Sequence, residues 1–381
     1  MLLWLALLSL VFVAAVTADL VHGNRSIHFV RDIPVVLPVR PPRVSLVVAA
    51  RDEERNLGAA LDTLLTQDYP DFEVIVVDDR STDATPAILR RKATQHECLQ
   101  IVRIDTLPAG WIGKNHALER GAQQATGTIF IFVDADIMMR SDTVSRAVSH
   151  ALASRRDHIA LAPDVLAPGL LLGMFIGTFM MFFSLFMRPW KASDPRSRRF
   201  IGIGAFNLIR AEVYRTVGGH RRIPMRPDDD IKLGKIIKAA GYSQEMLFGC
   251  GWMRVEWYPS LGALVRGLEK NSLAGVDYCV AAIIAATFVQ AACFIWPFIA
   301  LFFTSGLTLA LNTATCTVLV MGYIETARLI GVPRWYVLGL PLTVAVFIWT
   351  LWRATFITLR DDGITWRGTH YPLAALKANR V

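Results

Sequence analysis

Three long segments without a charged residue lie toward the two ends of this 381-residue chain. They are Met1–Ala18, Val280–Ile324 and Trp335–Trp352. Because about 20 apolar residues span a bilayer as a helix, the second segment is long enough for two crossings with a turn near Ser305. Hydrophobic residues make up 53% of the chain, and the mean hydropathy is +0.40. The sequence therefore predicts an integral, multi-pass membrane protein, with one N-terminal and about three C-terminal transmembrane helices around a polar middle.

Basic residues follow the first apolar segment closely. They are His22, Arg25, Arg31, Arg40 and Arg43, with Asp32 as the single acidic residue among them. By the positive-inside rule, the polar middle then faces the cytoplasm and Met1 lies outside. Residues 16–18 resemble the small-residue site of a cleaved signal peptide, but no basic residue precedes Leu2. We therefore expect an uncleaved anchor over residues 1–20, joined to the polar middle by a linker over 21–43.

The tail over residues 360–381 conflicts with this orientation. Three C-terminal helices over 279–359 would leave the tail outside, whereas its basic residues favour the cytoplasm. Those residues are Arg360, Arg367, Lys377 and Arg380. The sequence leaves open whether one apolar segment does not span or the charge rule fails. We expect the polar middle to be cytoplasmic, at a bacterial inner membrane.

The five cysteines and the net charge of +8 exclude some classes of protein. No two cysteines have C-x-x-C spacing, and Cys293 and Cys316 fall within predicted membrane helices, so the cysteines indicate neither a disulfide framework nor a zinc site. The basic residues are dispersed and lack interleaved aromatic platforms, which argues against a nucleic-acid partner. Attraction to the anionic head groups of the lipid bilayer explains the charge more economically.

Apolar runs alternate with helical patterns through the polar middle. The predicted strands are 44–50, 72–77, 99–104 and 128–133, and the predicted helices run from Glu53 to about Thr66, from Ser81 to about His96 and from Lys114 to Ala125. Strands that alternate with helices indicate an α/β fold whose sheet is mostly parallel.

The fourth predicted strand runs directly into two carboxylates, Asp134 and Asp136. Because side chains alternate along a strand, both leave its end on one side, where α/β proteins bind ligands. Hard oxygen ligands there suit a divalent cation that holds a diphosphate; alternatively, one aspartate caps a turn and the other is solvated. Asp78 and Asp79 end the second strand, either as turn residues or as part of one acidic cleft. Lys114 follows a glycine-rich turn, where it can meet phosphate oxygens.

Five short motifs in a fixed order resemble family 2 glycosyltransferases with the Rossmann-like GT-A fold. They are Ala49-Ala50-Arg51-Asp52-Glu53-Glu54, Asp78-Asp79, Gly113-Lys114, Asp134-Ala135-Asp136 and Asp229-Asp230-Ile231-Lys232-Leu233-Gly234. The set is specific as an ordered series, whereas each motif is weak singly. The resemblance implies a GT-A domain over residues 44–278. The form of residues 110–114 and the flanking membrane helices are most similar to the ceramide glucosyltransferase, hopanoid and carotenoid glycosyltransferase branches.

The resemblance implies inverting transfer of a sugar from a nucleotide sugar, a UDP-hexose, to the hydroxyl of a membrane lipid. Asp230 falls where the family's catalytic base lies, with Asp229 as the alternative, although acids in a first helical turn also suit the helix dipole. Asp136 with Asp134 would hold Mg²⁺ or Mn²⁺. The implied nucleotide-sugar-binding residues are Ala50, Glu53, Asp78, Asp79, Gly113, Lys114, Asp134, Arg266 and Lys270.

The Q-x-x-R-W motif of the family's membrane members is missing from this chain. Residues 266–271 offer instead Arg266 and Lys270 on one helical face, without a tryptophan. This departure argues against a polymer-making enzyme and leaves open which group stabilises the leaving diphosphate. Residues 202–207 and 217–220 resemble acceptor-side loops, in which His220 is a candidate ligand or proton partner.

The apolar segment Leu166–Met187 separates the two acidic motifs. If it crossed the bilayer, these motifs would lie on opposite sides, so we expect an interfacial helix along which a lipid enters, or a buried helix pair. A polyprenyl phosphate acceptor is an alternative, for which Arg196, Arg198 and Arg199 offer a basic cluster. A third hypothesis is a non-catalytic membrane protein that binds nucleotide sugars. It is disfavoured because no acidic pattern interrupts the membrane helices.

Overall fold

The computed structural model describes all 381 residues, which form two compact units. The sheet unit comprises Ile27–Asp164, Pro189–Val255 and Ala378–Val381. The helical unit comprises Met1–Ser26, Val165–Arg188 and Glu256–Lys377. The chain therefore passes from one unit to the other several times.

A seven-stranded sheet forms the centre of the sheet unit. The first ten strands of the chain are β1 (Val44–Ala50), β2 (Phe72–Asp79), β3 (Leu99–Ile104), β4 (Ile129–Asp134), β5 (Met138–Met139), β6 (His158–Ala162), β7 (Asp164–Leu166), β8 (Asn207–Arg210), β9 (Gln244–Phe248) and β10 (Met253–Glu256). Seven of them are ordered β3-β2-β1-β4-β8-β6-β9. Only β8 runs antiparallel to its neighbours in this sheet. The predicted α/β fold with a mostly parallel sheet is confirmed.

Helices flank this sheet and make up most of the helical unit. They are α1 (Leu2–Arg25), α2 (Leu57–Leu65), α3 (Thr85–Ala93), α4 (Gly113–Gln124), α5 (Thr143–Ala153), α6 (Leu170–Met187), α7 (Ala211–Thr216), α8 (Asp229–Ala239), α9 (Leu261–Ser272), α10 (Val280–Gln290), α11 (Trp296–Ala300), α12 (Gly306–Ile330), α13 (Leu340–Arg360) and α14 (Leu373–Ala378). A fully buried core joins the sheet to α4 and α8 through Val47, Phe130 and Leu233. Helix α4 lies so close to the sheet that a Cβ atom on Gly121 would lie 3.1 Å from Val77.

Helix α2 begins at Leu57, four residues after the predicted start at Glu53. The backbone N–H groups before it donate instead to side chains between β2 and the start of α3: Asp52 to Ser81 Oγ (3.1 Å), Glu53 to Thr85 Oγ1 (2.8 Å) and Glu54 to Asp83 Oδ2 (3.0 Å). Because side-chain oxygens satisfy these donors, the segment is held as a turn rather than as a first helical turn.

The strand register brings the carboxyl ends of three strands to one edge of the sheet. Asp78 of β2 pairs with Ala50, and Asp134 of β4 pairs with Ala49, so the two aspartates flank the end of β1. This edge is where α/β sheets bind ligands. The register therefore puts both predicted acidic motifs at the same edge.

Five segments of the helical unit and its borders are long and apolar enough to cross a membrane. They are Leu2–Arg25, Leu170–Lys191, Val280–Ala300, Gly306–Ile330 and Arg334–Arg360. The third is interrupted by a π-helical turn over Ala291–Ile295, just before Pro297. The predicted N-terminal helix and three C-terminal apolar helices are confirmed, and the turn predicted near Ser305 falls between α11 and α12. A hairpin of β11 (Gly363–Trp366) and β12 (Thr369–Pro372) follows α13.

Candidate active site

Lys114 joins the two acidic motifs. Its ammonium lies 2.7 Å from Oδ1 of Asp134, at the end of β4, and 3.5 Å from Oδ2 of Asp229, at the start of α8. Although burial lowers it, the neighbouring carboxylates of Asp134, Asp229 and Asp230 raise the pKa of Lys114 well above its usual value. The ammonium therefore stays charged. It lies in a pocket lined by Lys114, Leu118, Phe132, Val133, Asp134, Gly204, Asn207, His220, Asp229, Asp230 and Leu233.

The start of α4 is fixed against the loop that leads into α8. The Ile112 amide donates to the Pro224 carbonyl (2.8 Å), and the Asn115 side-chain amide donates to the carbonyls of Ile223 (2.6 Å) and Arg226 (2.8 Å). These bonds cross more than a hundred residues of sequence, and they hold Lys114 in register with the start of α8. Gly113 has no room for a Cβ atom, because the Asp79 carboxylate occupies that space.

The three aspartates at the start of α8 have separate partners. Arg226 is 2% exposed, and its guanidinium forms a bidentate salt bridge with Asp228, with distances of 2.8 and 2.9 Å. Asp229 faces Lys114. Asp228, the residue before the first helical residue, forms no side-chain capping bond. Capping by Asp228 therefore does not explain this run of acids.

Asp230 is held by two backbone amides. Gly204 donates to its Oδ2 (2.7 Å), and Ile231 donates to its Oδ1 (2.8 Å). A Cβ atom on Gly202 would meet the Asp230 carbonyl, so a glycine is needed for this loop to approach α8. Burial, followed by the charge of Asp229, raises the pKa of Asp230 to about 7. A carboxylate with a pKa near neutral is suited to accept a proton from a hydroxyl.

Asp136 lies in the turn after β4. Burial, followed by the charges of Asp134 and Glu53, raises the pKa of Asp136 to about 7, and Lys114 offsets only part of this negative charge. Hard oxygen donors with an excess of negative charge are the ligands that Mg²⁺ and Mn²⁺ prefer. The residues present therefore fit the expected divalent cation.

Asp78 and Asp79 lie across β1 from Asp134. Oδ1 of Asp78 accepts a hydrogen bond from the Ser81 amide (3.2 Å). Asp79 forms a bidentate salt bridge with Arg80 (2.8 and 2.9 Å). Both are buried at the sheet edge but neither lines the pocket around Lys114. Turn chemistry is therefore present, and a nucleotide-binding role stays a prediction. Ala50 ends β1, and Glu53 follows it in the segment before α2.

Arg266 and Lys270 lie on α9, in the helical unit. The Lys270 ammonium lies 3.7 Å from the centre of the Trp366 ring, which comes from β11. Sequence inspection found no tryptophan beside these residues, because Trp366 is almost a hundred residues further along the chain. The fold thus brings an aromatic ring to the cationic face of α9.

His220 has a fixed ring proton. Burial, and then the charge of Lys114, lower the pKa of His220 to about 3, so the ring is neutral. The Tyr214 hydroxyl donates to Oε2 of Glu119 (3.0 Å) and lies 2.8 Å from Nδ1 of His220. Glu119 is ion-paired with Arg221 and accepts the single hydroxyl proton, so Nδ1 must be the donor to the tyrosine oxygen. Nε2 of this pocket-lining residue is then a hydrogen-bond acceptor.

Sequence reasoning singled out His220 but missed Tyr214 and Glu119. The one local signal is Gly219, at φ +50°, where a Cβ atom would overlap the Tyr214 ring. The loop needs a glycine there because the aromatic ring lies directly beneath it.

The mostly parallel sheet with paired aspartates at its carboxyl edge agrees with the predicted GT-A fold. Residues 45–217 match the model of the family described as "Glycosyl transferase family 2". The family resemblance seen in the sequence is confirmed over these residues.

Two curated relatives match part of the chain. Beta-monoglucosyldiacylglycerol synthase from Synechocystis sp. is 40% identical over 111 residues, which cover 29% of this chain and 23% of the relative. 4,4'-Diaponeurosporenoate glycosyltransferase from Staphylococcus aureus is 26% identical over 180 residues, covering 47% of this chain and 46% of the relative. The matches thus span less than half the length of these relatives.

One solved structure is similar over almost the whole chain. It is a mannosyltransferase from Pyrobaculum calidifontis in complex with GDP-Man and Mn²⁺, which is 20% identical, with a TM-score of 0.55. The similarity covers 95% of this chain and 100% of that one. At this level of identity the likeness concerns the fold.

Proposed function

We propose that this protein transfers a sugar, with inversion and in a metal-dependent reaction, from a nucleotide sugar to the hydroxyl of a membrane lipid. The donor class we favour is a UDP-hexose. The observation that carries the proposal is a pocket in which Lys114 contacts both Asp134 and Asp229, with Asp230 beside them. This pocket combines Asp134, one of the two proposed cation ligands, with a fixed positive charge and the proposed base.

Asp230 is the proposed general base. Its carboxylate takes the proton of the acceptor hydroxyl as that oxygen forms a bond to the anomeric carbon, and the bond from this carbon to the diphosphate breaks. One displacement without an enzyme nucleophile inverts the anomeric centre. The hydrogen bond from Gly204 keeps the carboxylate oriented, and its raised pKa makes it a stronger base than an exposed aspartate. Asp229 is the alternative base, but its pairing with Lys114 favours a supporting role.

Asp136 and Asp134 would hold Mg²⁺ or Mn²⁺, which when bound neutralises charge on the departing diphosphate. Lys114 contributes a second positive charge and keeps Asp134 and Asp229 in one arrangement. The nucleotide would lie against the ends of β1 and β2 and the segments beside them, which supply the proposed contacts Ala50, Glu53, Asp78, Asp79 and Gly113. Arg266 and Lys270 are proposed phosphate contacts, by their charge alone.

The acceptor is inferred from the apolar helices. Five segments are long and apolar enough to enter a membrane, and many of their side chains are exposed. An enzyme acting on a water-soluble acceptor would not need these helices. The two curated relatives are named for a glucosyldiacylglycerol and for a carotenoid acid, both of which are lipids. These names support a lipid acceptor here.

Helix α6 does not cross the bilayer in the topology that we favour. Its two flanks, Asp164 and Pro189, belong to the sheet unit, and residues before and after it meet at Lys114. A single crossing would separate Asp134 from Asp229 by a bilayer. This supports the interfacial alternative, in which α6 lies along the membrane surface where a lipid can reach the site.

The end of the chain adds a second constraint. Residues 378–381 belong to the sheet unit, where Lys235 donates to the Val381 carbonyl (2.6 Å) and Asn379 accepts from the Met225 amide (3.0 Å). Helices between residues 256 and 378 must then cross an even number of times. The basic tail then lies on the cytoplasmic side, as its charge favours.

Contacts within the helical unit favour α13 as the helix that does not cross. Helices α1 and α12 run parallel, with Thr17 beside Gly322 and Arg25 paired with Glu325 (2.7 Å). Helix α13 instead packs on α6, through Thr343 and Thr178 (2.6 Å), and on α9. We assign the crossings to α1, the α10–α11 segment and α12.

The first test is transfer itself. Purified membranes that contain the full-length protein are incubated with radiolabelled UDP- and GDP-sugars and Mn²⁺. The lipids are then extracted into organic solvent, and the label in the extract is measured. The proposal expects label in a glycolipid whose sugar linkage withstands mild acid. Label in an acid-labile phosphate-linked sugar would support the polyprenyl phosphate alternative. Donor binding without transfer to any lipid extract would support a non-catalytic binding protein.

A further inference from the structure

Three side chains with metal-binding atoms meet beside β9, the outermost strand on one side of the seven-stranded sheet, and outside the pocket. His28 Nδ1 lies 3.1 Å from Oε1 of Glu245, and His150 Nε2 lies 3.2 Å from Oε2 of the same carboxylate. The three candidate ligand atoms all lie within 4.8 Å of one another. The residues come from three distant parts of the chain: the segment after α1, the last turn of α5, and the edge strand β9.

The surroundings of the cluster hold these groups in place. The Phe248 amide donates to the His28 carbonyl (2.9 Å), and the rings of Phe29 and Phe248 lie 5.1 Å apart. Arg156 donates to Oε2 of Glu245 (3.0 Å), which fixes the plane of the carboxylate. His28 is the most exposed of the three, so an ion can reach the cluster from solvent.

The ligand geometry suits a tetrahedral ion. Ligand atoms bound at 2.0–2.2 Å around zinc lie roughly 3.3–3.6 Å apart, close to the two distances between these histidines and Glu245. The buried Nε2 atom of His150 forms no hydrogen bond, although Oε2 is near. A buried ring nitrogen that lacks hydrogen-bond geometry to its neighbour is costly, and coordination would satisfy it.

We infer that His28, His150 and Glu245 form a binding site for a transition-metal ion of the Zn²⁺ class, with water as the fourth ligand. Two imidazoles and a carboxylate are a common zinc ligand set with one open position. Imidazole nitrogen favours Zn²⁺ over Mg²⁺, so this site takes a different ion from the oxygen ligands at Asp134 and Asp136. The bound ion fastens the segment after α1 to α5 and β9. The inference does not depend on the proposed transferase activity.

The competing explanation is an ion-pair network without metal. Glu245 is paired with Arg156 and adjoins two histidines, and these groups lower its pKa, against the effect of burial, to about 2. In that case chelators would not affect the protein. The two explanations therefore differ in a direct measurement of metal binding.

The test uses full-length protein in detergent, stripped of metal by a chelator and titrated with Co²⁺. The protein carries Asp136→Asn, which removes a ligand of the proposed active-site cation so that this second site does not bind Co²⁺. We expect the visible absorption of a four-coordinate Co²⁺ site, its displacement by Zn²⁺, and a rise in Tm with Zn²⁺. The variants His28→Gln and His150→Gln should each lose the spectrum and weaken Zn²⁺ binding at least about tenfold.

The matched control is His370→Gln, an exposed histidine outside the cluster. It should leave the spectrum unchanged. If His28→Gln and His150→Gln bind Co²⁺ as the parent does, or if Zn²⁺ leaves the Tm unchanged, the site is an ion-pair network and the inference is wrong. His28 is largely exposed, so its substitution tests the site even if the Glu245→Gln variant does not fold.

Discussion

The amide of Gly204 donates to Oδ2 of Asp230 over 2.7 Å, and the carbonyl of the same glycine accepts from the Asp134 amide over 3.1 Å. One residue thus ties the proposed base to the proposed metal ligand. A Cβ atom on Gly204 would lie 2.6 Å from Oδ2 of Asp134, closer than packed atoms approach. The loop therefore couples the geometry of the two acidic motifs.

The Gly204→Ala variant should lose most of its transfer activity while keeping its fold. The added methyl group displaces the Asp134 carboxylate, and a displacement of about 1 Å near reacting groups costs on the order of a hundredfold in rate. Transfer rate and circular dichroism measure the two effects. The control Gly58→Ala adds a methyl group 3.9 Å from its nearest neighbour and should stay active. Full activity of Gly204→Ala would show that the loop does not position the site.

Replacing Lys114 by methionine should raise the pKa of Asp230 further. The ammonium is one of the groups that lower this pKa, so without it the carboxylate is harder to ionise. We expect the acidic limb of the pH–rate profile to move to higher pH, with a lower maximal rate. The control Lys92→Met removes an ion pair with the exposed Asp62 and should change little. An unshifted profile in Lys114→Met would contradict the assigned coupling.

Tyr214→Phe should remove the partner that fixes the ring proton of His220. The change leaves Oε2 of Glu119 and Nδ1 of His220 without the tyrosine hydroxyl as a hydrogen-bond partner, at a cost of about 1–3 kcal/mol in stability. Nitrogen NMR of labelled histidine should show the Nδ1-protonated form of His220 in the parent and its loss in the variant. Tyr242→Phe, at a half-buried tyrosine, is the control. An Nε2-protonated ring in the parent protein would overturn the assignment.

The proposed topology predicts which residues a membrane-impermeant thiol reagent reaches in intact cells. In a background without native cysteines, Ser305→Cys, between α11 and α12, should be labelled from outside. Gly331→Cys and Thr369→Cys should react with the reagent only after the membrane is permeabilised. Labelling of Thr369→Cys from outside would mean that α13 crosses the bilayer.

The sheet and the acidic edge could be predicted from sequence because local patterns encode them. A buried apolar run that ends in Asp134 predicts both a strand and the position of its carboxylate, and the register of β1 explains why Asp78 ends at the same edge. Lys114 was identified by its neighbouring glycine. In the structure its ammonium contacts carboxylates, whereas the sequence predicted contact with phosphate.

Other parts of the site depend on contacts between distant residues, which no local pattern reveals. Tyr214 and Glu119 are 95 positions apart, and Trp366 lies over Lys270 only because a hairpin follows α13. The predicted start of α2 at Glu53 was wrong for a similar reason. Side chains that follow β2 accept hydrogen bonds from the backbone N–H groups of residues 52–54. Length and hydropathy also cannot separate a crossing helix from an interfacial one such as α6.

The most direct test of the central claim is the pH–rate profile of lipid glycosylation, measured beside Asp230→Asn. The base must be ionised, so the wild-type rate should fall about tenfold for each pH unit below about 7, where Asp230 becomes protonated. The variant should bind donor normally, be at least about a hundredfold slower and lack this acidic limb. It should also unfold at a higher temperature at pH 8, because a raised pKa means that ionised Asp230 opposes folding. Equal rates and equal profiles in the two proteins would contradict the assignment of Asp230 as the base.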